Sequence, residues 1–170
     1  HKDVSFVRKK ISLEEQAAKA TVQSVKVGQI MHRVGVVTLA SFYEDFEGRQ
    51  KGVKDYKSAT RDVRRLLGEL KAKNVDSVLV DLRNNGGGSW SEAIELTGLF
   101  VGKGPVVQQR NAKGEISVEV DSRADVVWGG PMGVLINRSS ASASEIFAAA
   151  IQDYGRGLII GEPSYGKGTV

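Results

Sequence analysis

Val75-Asp-Ser-Val-Leu-Val-Asp-Leu-Arg-Asn-Asn-Gly-Gly-Gly88 is the stretch that decides the fold. Val75 to Leu82 reads as a buried-type strand, and the glycine run ends it abruptly. Ser91 to Phe100 follows as a helix, with Ile94, Leu96, Leu99 and Phe100 apolar and with Ser89 and Glu92 at capping-box spacing. The same grammar repeats downstream. Gly133 to Ile136 is a short apolar strand, Asn137 to Ser142 a polar turn, Ser144 to Tyr154 an Ala-rich helix, and Gly157 to Ile160 a strand again. Strands alternating with helices predict an α/β layered domain, its central strands parallel and flanked by helices.

Working outward, Ser58 to Lys73 carries Val63, Leu66, Leu67 and Leu70 at helical spacing, with Ser58 as the N-cap. Gln29 to Phe42 is rich in β-branched residues (Ile30, Val34, Val36, Val37, Thr38) and reads as a hairpin or two strands bent at Gly35. Glu44 to Lys57 is a polar loop, and Val106 to Val127 an irregular or hairpin region around Gly114. Residues 1–25 are mixed and charged, with an apolar patch at Val4 to Val7, and read as a connector or a peripheral strand. Residues 26–170 are the core domain. The first residues are polar and charged and do not read as a leader, and the chain ends at Val170 inside a run that reads as the start of a strand, so it is expected to be a segment of a longer protein.

With 170 residues, 41% of them apolar, the chain is long enough for one core and has no stretch long enough to span a membrane. The net charge of +4 is mild, and the densest basic cluster, Arg61 to Arg65, falls on the solvated face of a helix, which argues against a nucleic-acid partner. Absent cysteine excludes disulfides, thiol catalysis and zinc–thiolate sites. The two histidines, His1 and His32, are too few and too isolated for a typical His-based metal site; a Ser-His-Asp triad would have to use one of them, and the plainer reading is that both are structural or incidental. That scarcity itself favours a lysine where a base is needed.

Ser142 stands in Asn137-Arg-Ser-Ser-Ala-Ser-Ala-Ser-Glu145, between a strand and a helix. Such a turn exposes a side chain at a sheet's C-terminal edge and aims a helix N-terminus at developing negative charge. The plainer reading is that the serines only cap the helix. Lys167 stands in Gly161-Glu-Pro-Ser-Tyr-Gly-Lys-Gly-Thr-Val170. A lysine acts as a base only when neutral, which needs burial or a positive neighbour; the plainer reading is an exposed loop lysine. A phosphate loop is a poorer fit, because Gly168 replaces the Ser or Thr that should follow the lysine. The Gly86-Gly87-Gly88 turn can present backbone N–H groups to an oxyanion, or serve simply as a tight turn. Glu145 and Asp153 read as surface charges or caps.

Taken together, Asp81-Leu-Arg-Asn-Asn-Gly-Gly-Gly88, Ser140-Ala-Ser-Ala-Ser-Glu145 and Gly166-Lys-Gly-Thr-Val170 resemble the tail-specific, or C-terminal processing, proteases. Lys167 follows Ser142 at an interval of 25 positions, the family's dyad spacing, and Ile146 to Arg156 resembles its Gram-negative branch. The resemblance implies a layered α/β fold of the ClpP/crotonase type and a serine endopeptidase that needs no metal or other cofactor. It implies Ser142 as nucleophile and Lys167 as base, with the N–H groups of Ala143 and Gly88 as the oxyanion hole. Gly87 and Asp153 are implied as supporting residues, Asp153 for structure more than for chemistry. It further implies protein substrates with flexible apolar C-terminal tails, a periplasmic location and a PDZ domain upstream of residues 1–25, and it leaves room for an adaptor or activator protein. The family's glutamine four residues after the lysine falls beyond Val170, so this segment alone is expected to be weak or inactive. Two other classes compete: a non-catalytic peptide-binding module on the same fold, and an acyl-CoA enzyme of the crotonase type, which leaves Ser142 and Lys167 unexplained.

Overall fold

A computed structural model describes residue 14 and residues 16–123 and 125–170; His1 and the Val4 to Val7 patch lie outside them. The elements run β1 (Lys19–Val27), β2 (Ile30–Thr38), α1 (Phe46–Gln50), α2 (Ala59–Ala72), β3 (Ser77–Asp81), α3 (Trp90–Val101), β4 (Gly104–Arg110), β5 (Ile116–Asp121), β6 (Met132–Ile136), α4 (Ala143–Asp153) and β7 (Leu158–Gly161). Five strands form one sheet in the order β1-β2-β3-β6-β7, and β4-β5 form a separate hairpin. Only β1 pairs antiparallel in the large sheet; β2–β3, β3–β6 and β6–β7 are parallel.

That order explains the layering. Each parallel strand is laid beside the previous one after a crossover containing a helix, and crossovers are right-handed. Stepping in one direction therefore stacks α2, α3 and α4 on one face of the sheet. Val37, Val78, Val80 and Val134 point from the strands into this layer. They meet Val63, Leu67 and Leu70 of α2, Leu96 and Leu99 of α3, and Phe147 and Ile151 of α4. Phe147 and Phe100 pack edge to face, centroids 5.6 Å apart, where α4 crosses α3. The opposite face is less covered: Val34, Val36, Leu79 and Leu135 are half-buried, and Leu158 and Ile160 are exposed.

Two expectations change. Gly35 is not a bend but sits in the middle of β2, where a Cβ would lie 2.8 Å from Leu70 Cδ1; the missing side chain lets α2 settle on the sheet. Gln29 to Phe42 holds one strand, β2, and not a hairpin or two strands; its hairpin partner is β1, the peripheral strand expected in the charged N-terminal segment, which runs across the expected 25/26 boundary. The caps form as read. Ser58 Oγ accepts from the Arg61 N–H and Ser89 Oγ from the Glu92 N–H, both at 3.3 Å. The Glu92 carboxylate does not return to its own helix start. It is fully buried and accepts the Thr60 N–H at 2.6 Å, joining the start of α2 to α3.

Replacing Phe147 with alanine removes the ring that joins α3 to α4. A loss of about 3–5 kcal/mol in unfolding free energy is expected, read as a lower midpoint in urea with an unaltered slope.

Candidate active site

Parallel pairing of β3 with β6 (Val80 opposite Val134, Asp81 opposite Leu135) sends two turns off the same sheet edge, side by side. The Leu82 N–H continues the ladder to Leu135 O at 2.9 Å. The first turn carries the glycine run, and the second carries Ser142. Polar side chains stitch them together. Ser140 Oγ donates to Leu82 O (2.8 Å), Ser144 Oγ to Asn85 O (2.9 Å) and the Ala141 N–H to Asn85 O (3.0 Å). Asn84 and Asn137 exchange two bonds, N–H to Oδ1 at 3.0 Å and Nδ2–H to Oδ1 at 2.9 Å. Ser140 and Ser144 are fully buried. Their task is this stitching and not the generic capping that a serine-rich helix start suggests.

The glycine run is tied on its other side to the chain after β2. The Phe42 N–H donates to Gly87 O and the Ser89 N–H to Phe42 O. Gly87 adopts φ +105°, and a Cβ there would lie 2.9 Å from both Ala141 O and Ser142 Cβ, so only glycine fits against the serine. The Gly87 N–H is taken by Asn85 Oδ1 at 2.9 Å. The Gly88 N–H takes no acceptor among the described residues, and the Ala143 N–H, first in α4, has no intrahelical acceptor.

Ser142 sits at the start of α4 with φ +57°, a region that non-glycine residues seldom occupy. Glu145 holds it there. Its Oε2 accepts the N–H of Ser142 (2.7 Å) and of Lys167 (3.0 Å), and its Oε1 accepts Ser164 Oγ–H (2.8 Å) and the Gly166 N–H (2.6 Å). One carboxylate thus joins the serine turn to the lysine loop, and the Tyr165 N–H adds a bond to Ser140 O. Burial pushes the Glu145 carboxyl up, but the donors from Ser164, Gly166, Ser142 and Lys167 together outweigh it and hold it below the usual carboxylate range. The sequence reading took Glu145 for a surface charge or cap. Its three-residue spacing from Ser142 was the available signal, but nothing local shows that residues 164–167 fold back onto it.

Ser142 and Lys167 line one cavity of about 700 Å³, walled by Trp90 and Ile146 and by Val107 and Arg110 of the hairpin. Lys167 is exposed there. Asp153 is not brought to this cavity. It is exposed at the other end of α4, beside a second cavity. His32 is also distant from the serine, at the opposite end of the sheet, its Nδ1 4.0 Å from Asp76. No cluster of three or more potential metal ligands occurs among the described residues.

Glu145→Gln keeps the shape but sets an amide N–H among four donors. The Gly166 and Lys167 amides should exchange with solvent at least tenfold faster in the variant, with the global unfolding midpoint little changed. Because the folded pKa of Glu145 is depressed, its contribution is present above the ordinary carboxylate range and is lost as pH falls through the folded value. The wild-type amides should therefore lose protection on acidification, and those of the variant should not lose more.

Comparison with known proteins agrees with this fold. Residues 33–170 match peptidase family S41. The chain is 45% identical over 167 residues to the tail-specific protease of Haemophilus influenzae, covering 98% of this chain and 22% of that protein. It is 38% identical over 114 residues to a chloroplastic carboxyl-terminal-processing peptidase of Arabidopsis thaliana, covering 66% of this chain and 22% of the relative. Among solved structures, the photosystem II D1 C-terminal processing protease superposes with a TM-score of 0.73 at 28% identity, over 90% of this chain and 38% of its own. The chain thus spans about a fifth of the length of these two curated relatives. With its parallel α/β core and its glycine, serine and lysine loops on one sheet edge, the chain belongs to peptidase family S41, the family of the carboxyl-terminal processing proteases.

Proposed function

We propose that the protein is a serine endopeptidase of the tail-specific type, with Ser142 as nucleophile and Lys167 as general base. The observation that carries this reading is the joint placement of Ser142 and Lys167 on one cavity, with both backbones tied to the Glu145 carboxylate. Ser142 Oγ attacks the scissile carbonyl carbon as its proton passes to Lys167 Nζ. The resulting oxyanion sits between the N–H groups of Gly88 and Ala143, both left without an internal acceptor. Collapse of this intermediate breaks the C–N bond, and the lysine returns the proton to the departing amine. Water, deprotonated by the same lysine, then cleaves the Ser142 ester.

The start of α4 behind Ser142 adds its dipole to the stabilisation of negative charge. Asp153, far along α4 from Ser142, supports the helix and its surroundings rather than the proton transfers. Proteins recognised through flexible apolar C-terminal tails are the proposed substrates. The bacterial periplasm is the proposed location, with a PDZ domain upstream of residues 1–25 and an adaptor or activator as further partners. Similarity to tail-specific and carboxyl-terminal-processing proteases supports these assignments.

In the full-length protein, Ser142→Ala and Lys167→Ala should each lower cleavage of an unfolded reporter bearing an apolar tail by about 10³-fold or more, with circular dichroism unchanged. Turnover retained in either variant would exclude the dyad. Tail binding without any turnover by the folded wild type would instead favour a binding module. Gly88→Ala should also be inactive, since φ +147° and the approach to Phe42 O both exclude a side chain.

A further inference from the structure

The glycine turn has a second support besides its stitching to the serine turn. Residues 42–45 run beside it as a short strap. Phe42 bridges to Gly88. The strap is fixed in turn at the start of α2, where the Ala59 N–H donates to Tyr43 O (3.0 Å) and the Asp45 N–H to Lys57 O (2.8 Å). From this strap the Glu44 side chain, only 1% exposed, reaches the start of α3. Its Oε2 accepts Ser89 Oγ–H at 2.5 Å and Ser91 Oγ–H at 2.8 Å, and its Oε1 accepts Arg49 Nη1–H at 2.5 Å. Each serine has one hydroxyl proton to give, and Oε2 receives both. The Ser89 oxygen then stays an acceptor for the Glu92 N–H, the cap of α3.

A carboxylate buried this deeply needs a counter-charge. The excursion between Asp45 and Lys57, which carries α1, supplies it. Asp45 starts α1 by accepting the Gly48 N–H at 3.0 Å, and α1 brings Arg49 back over Glu44. The other end of the guanidinium, Nη2, donates to Glu95 of α3 at 2.7 Å, so Arg49 is forked between the strap and that helix. Burial pushes the Glu44 carboxyl up, but the donors from Ser89, Arg49 and Ser91 outweigh it and hold it below the usual carboxylate range. Neither Glu44 nor Arg49 lines the cavity that holds Ser142 and Lys167, so neither is placed to touch a substrate there.

We propose that Glu44, balanced by Arg49, is a positioning residue that keeps the Gly88 N–H aimed at the oxyanion. The peptide unit between Gly87 and Gly88 is planar, so its C=O and N–H point in opposite directions. The Phe42 N–H holds Gly87 O at 2.9 Å and thereby turns the Gly88 N–H away from the strap. The next peptide is held as well, by the Ser89 N–H on Phe42 O at 2.8 Å. Two glycines in sequence resist rotation of the unit between them only weakly. A flip would set a carbonyl where the donor belongs. Glu44 opposes it by locking the register of strap and turn: it stands two residues after Phe42 and grips the hydroxyl of the residue that follows Gly88. The inference rests on the reading of Gly88 as an oxyanion donor and adds the residues that hold that donor in place.

The test uses the full-length protein, a quenched fluorescent peptide substrate and a peptide aldehyde, whose reversible adduct with Ser142 places its oxygen in the hole. Glu44→Gln keeps the shape but has one acceptor oxygen where two are used. It should lower kcat by at least about tenfold, change KM by less than about twofold, and weaken inhibition by the aldehyde by the same factor as kcat. Arg49→Met, at the half-exposed end of the link, should show the same pattern, and Arg49→Lys should restore most of kcat. The double variant should be no slower than Glu44→Gln alone, because the pair acts as a unit. Where circular dichroism shows Glu44→Gln unfolded, the two Arg49 variants decide. Wild-type kcat in a folded Glu44→Gln or in Arg49→Met would overturn the inference. So would a loss of kcat with aldehyde affinity unchanged, the mark of a merely structural role. The underlying reading fails separately: full activity in Gly88→Ala would remove Gly88 from the hole, and aldehyde inhibition that survives Ser142→Ala would remove the nucleophile.

Discussion

Everything at the site depends on the parallel register of β3 and β6. With Asp81 opposite Leu135, the glycine turn and the serine turn leave the sheet at the same height. A slip of one residue would also turn Val78 and Val80 out of the helix layer, so burial of the core enforces the alignment that the site uses. The geometry of the reactive edge is thus guaranteed by hydrophobic packing some distance below it.

Packing alone cannot hold two loops in conformations as unusual as those of Gly87 and Ser142. The hydrogen bonds above the sheet do so. Individually each contributes on the order of 1 kcal/mol, but leaving a buried partner unmet costs more. Ser140, Ser144, Asn85 and the Glu145 carboxylate therefore act as a connected set. The positive φ of Ser142 is one part of that set, compensated by the bond from its N–H to Glu145. A serine held in this way exposes its hydroxyl to the cavity and leaves the first free N–H of α4 beside it.

The β4–β5 hairpin stands apart from the main sheet, and its placement follows a different logic. It is fastened at Pro105 by Tyr154 and packs against α3 and α4, which leaves an outer strand edge beside the two cavities. The sequence leaves residues 106–127 as an irregular or hairpin region around Gly114, and the hairpin is what forms; Gln108, Gln109 and Arg110 interrupt the alternation expected of a strand with one buried face. Their polarity makes sense once the edge is seen to look into an open cavity.

The sequence by itself determined the alternation of strand, turn and helix, the helix caps at Ser58 and Ser89, the glycine turn after β3, and the prominence of Ser142 and Lys167. These are local matters of periodicity, turn chemistry and spacing, written in neighbouring residues. Only the tertiary structure decided that Gly35 is a packing contact and not a bend, since its reason is Leu70, far along the chain. Only it decided that Glu145 binds residues 164–167, that Asp153 faces a second cavity, and that β4 walls the Ser142 cavity. Each of these depends on groups brought together by loops with no periodic signal, and a backbone N–H that seeks a carboxylate leaves no mark in the identity of the residue that carries it.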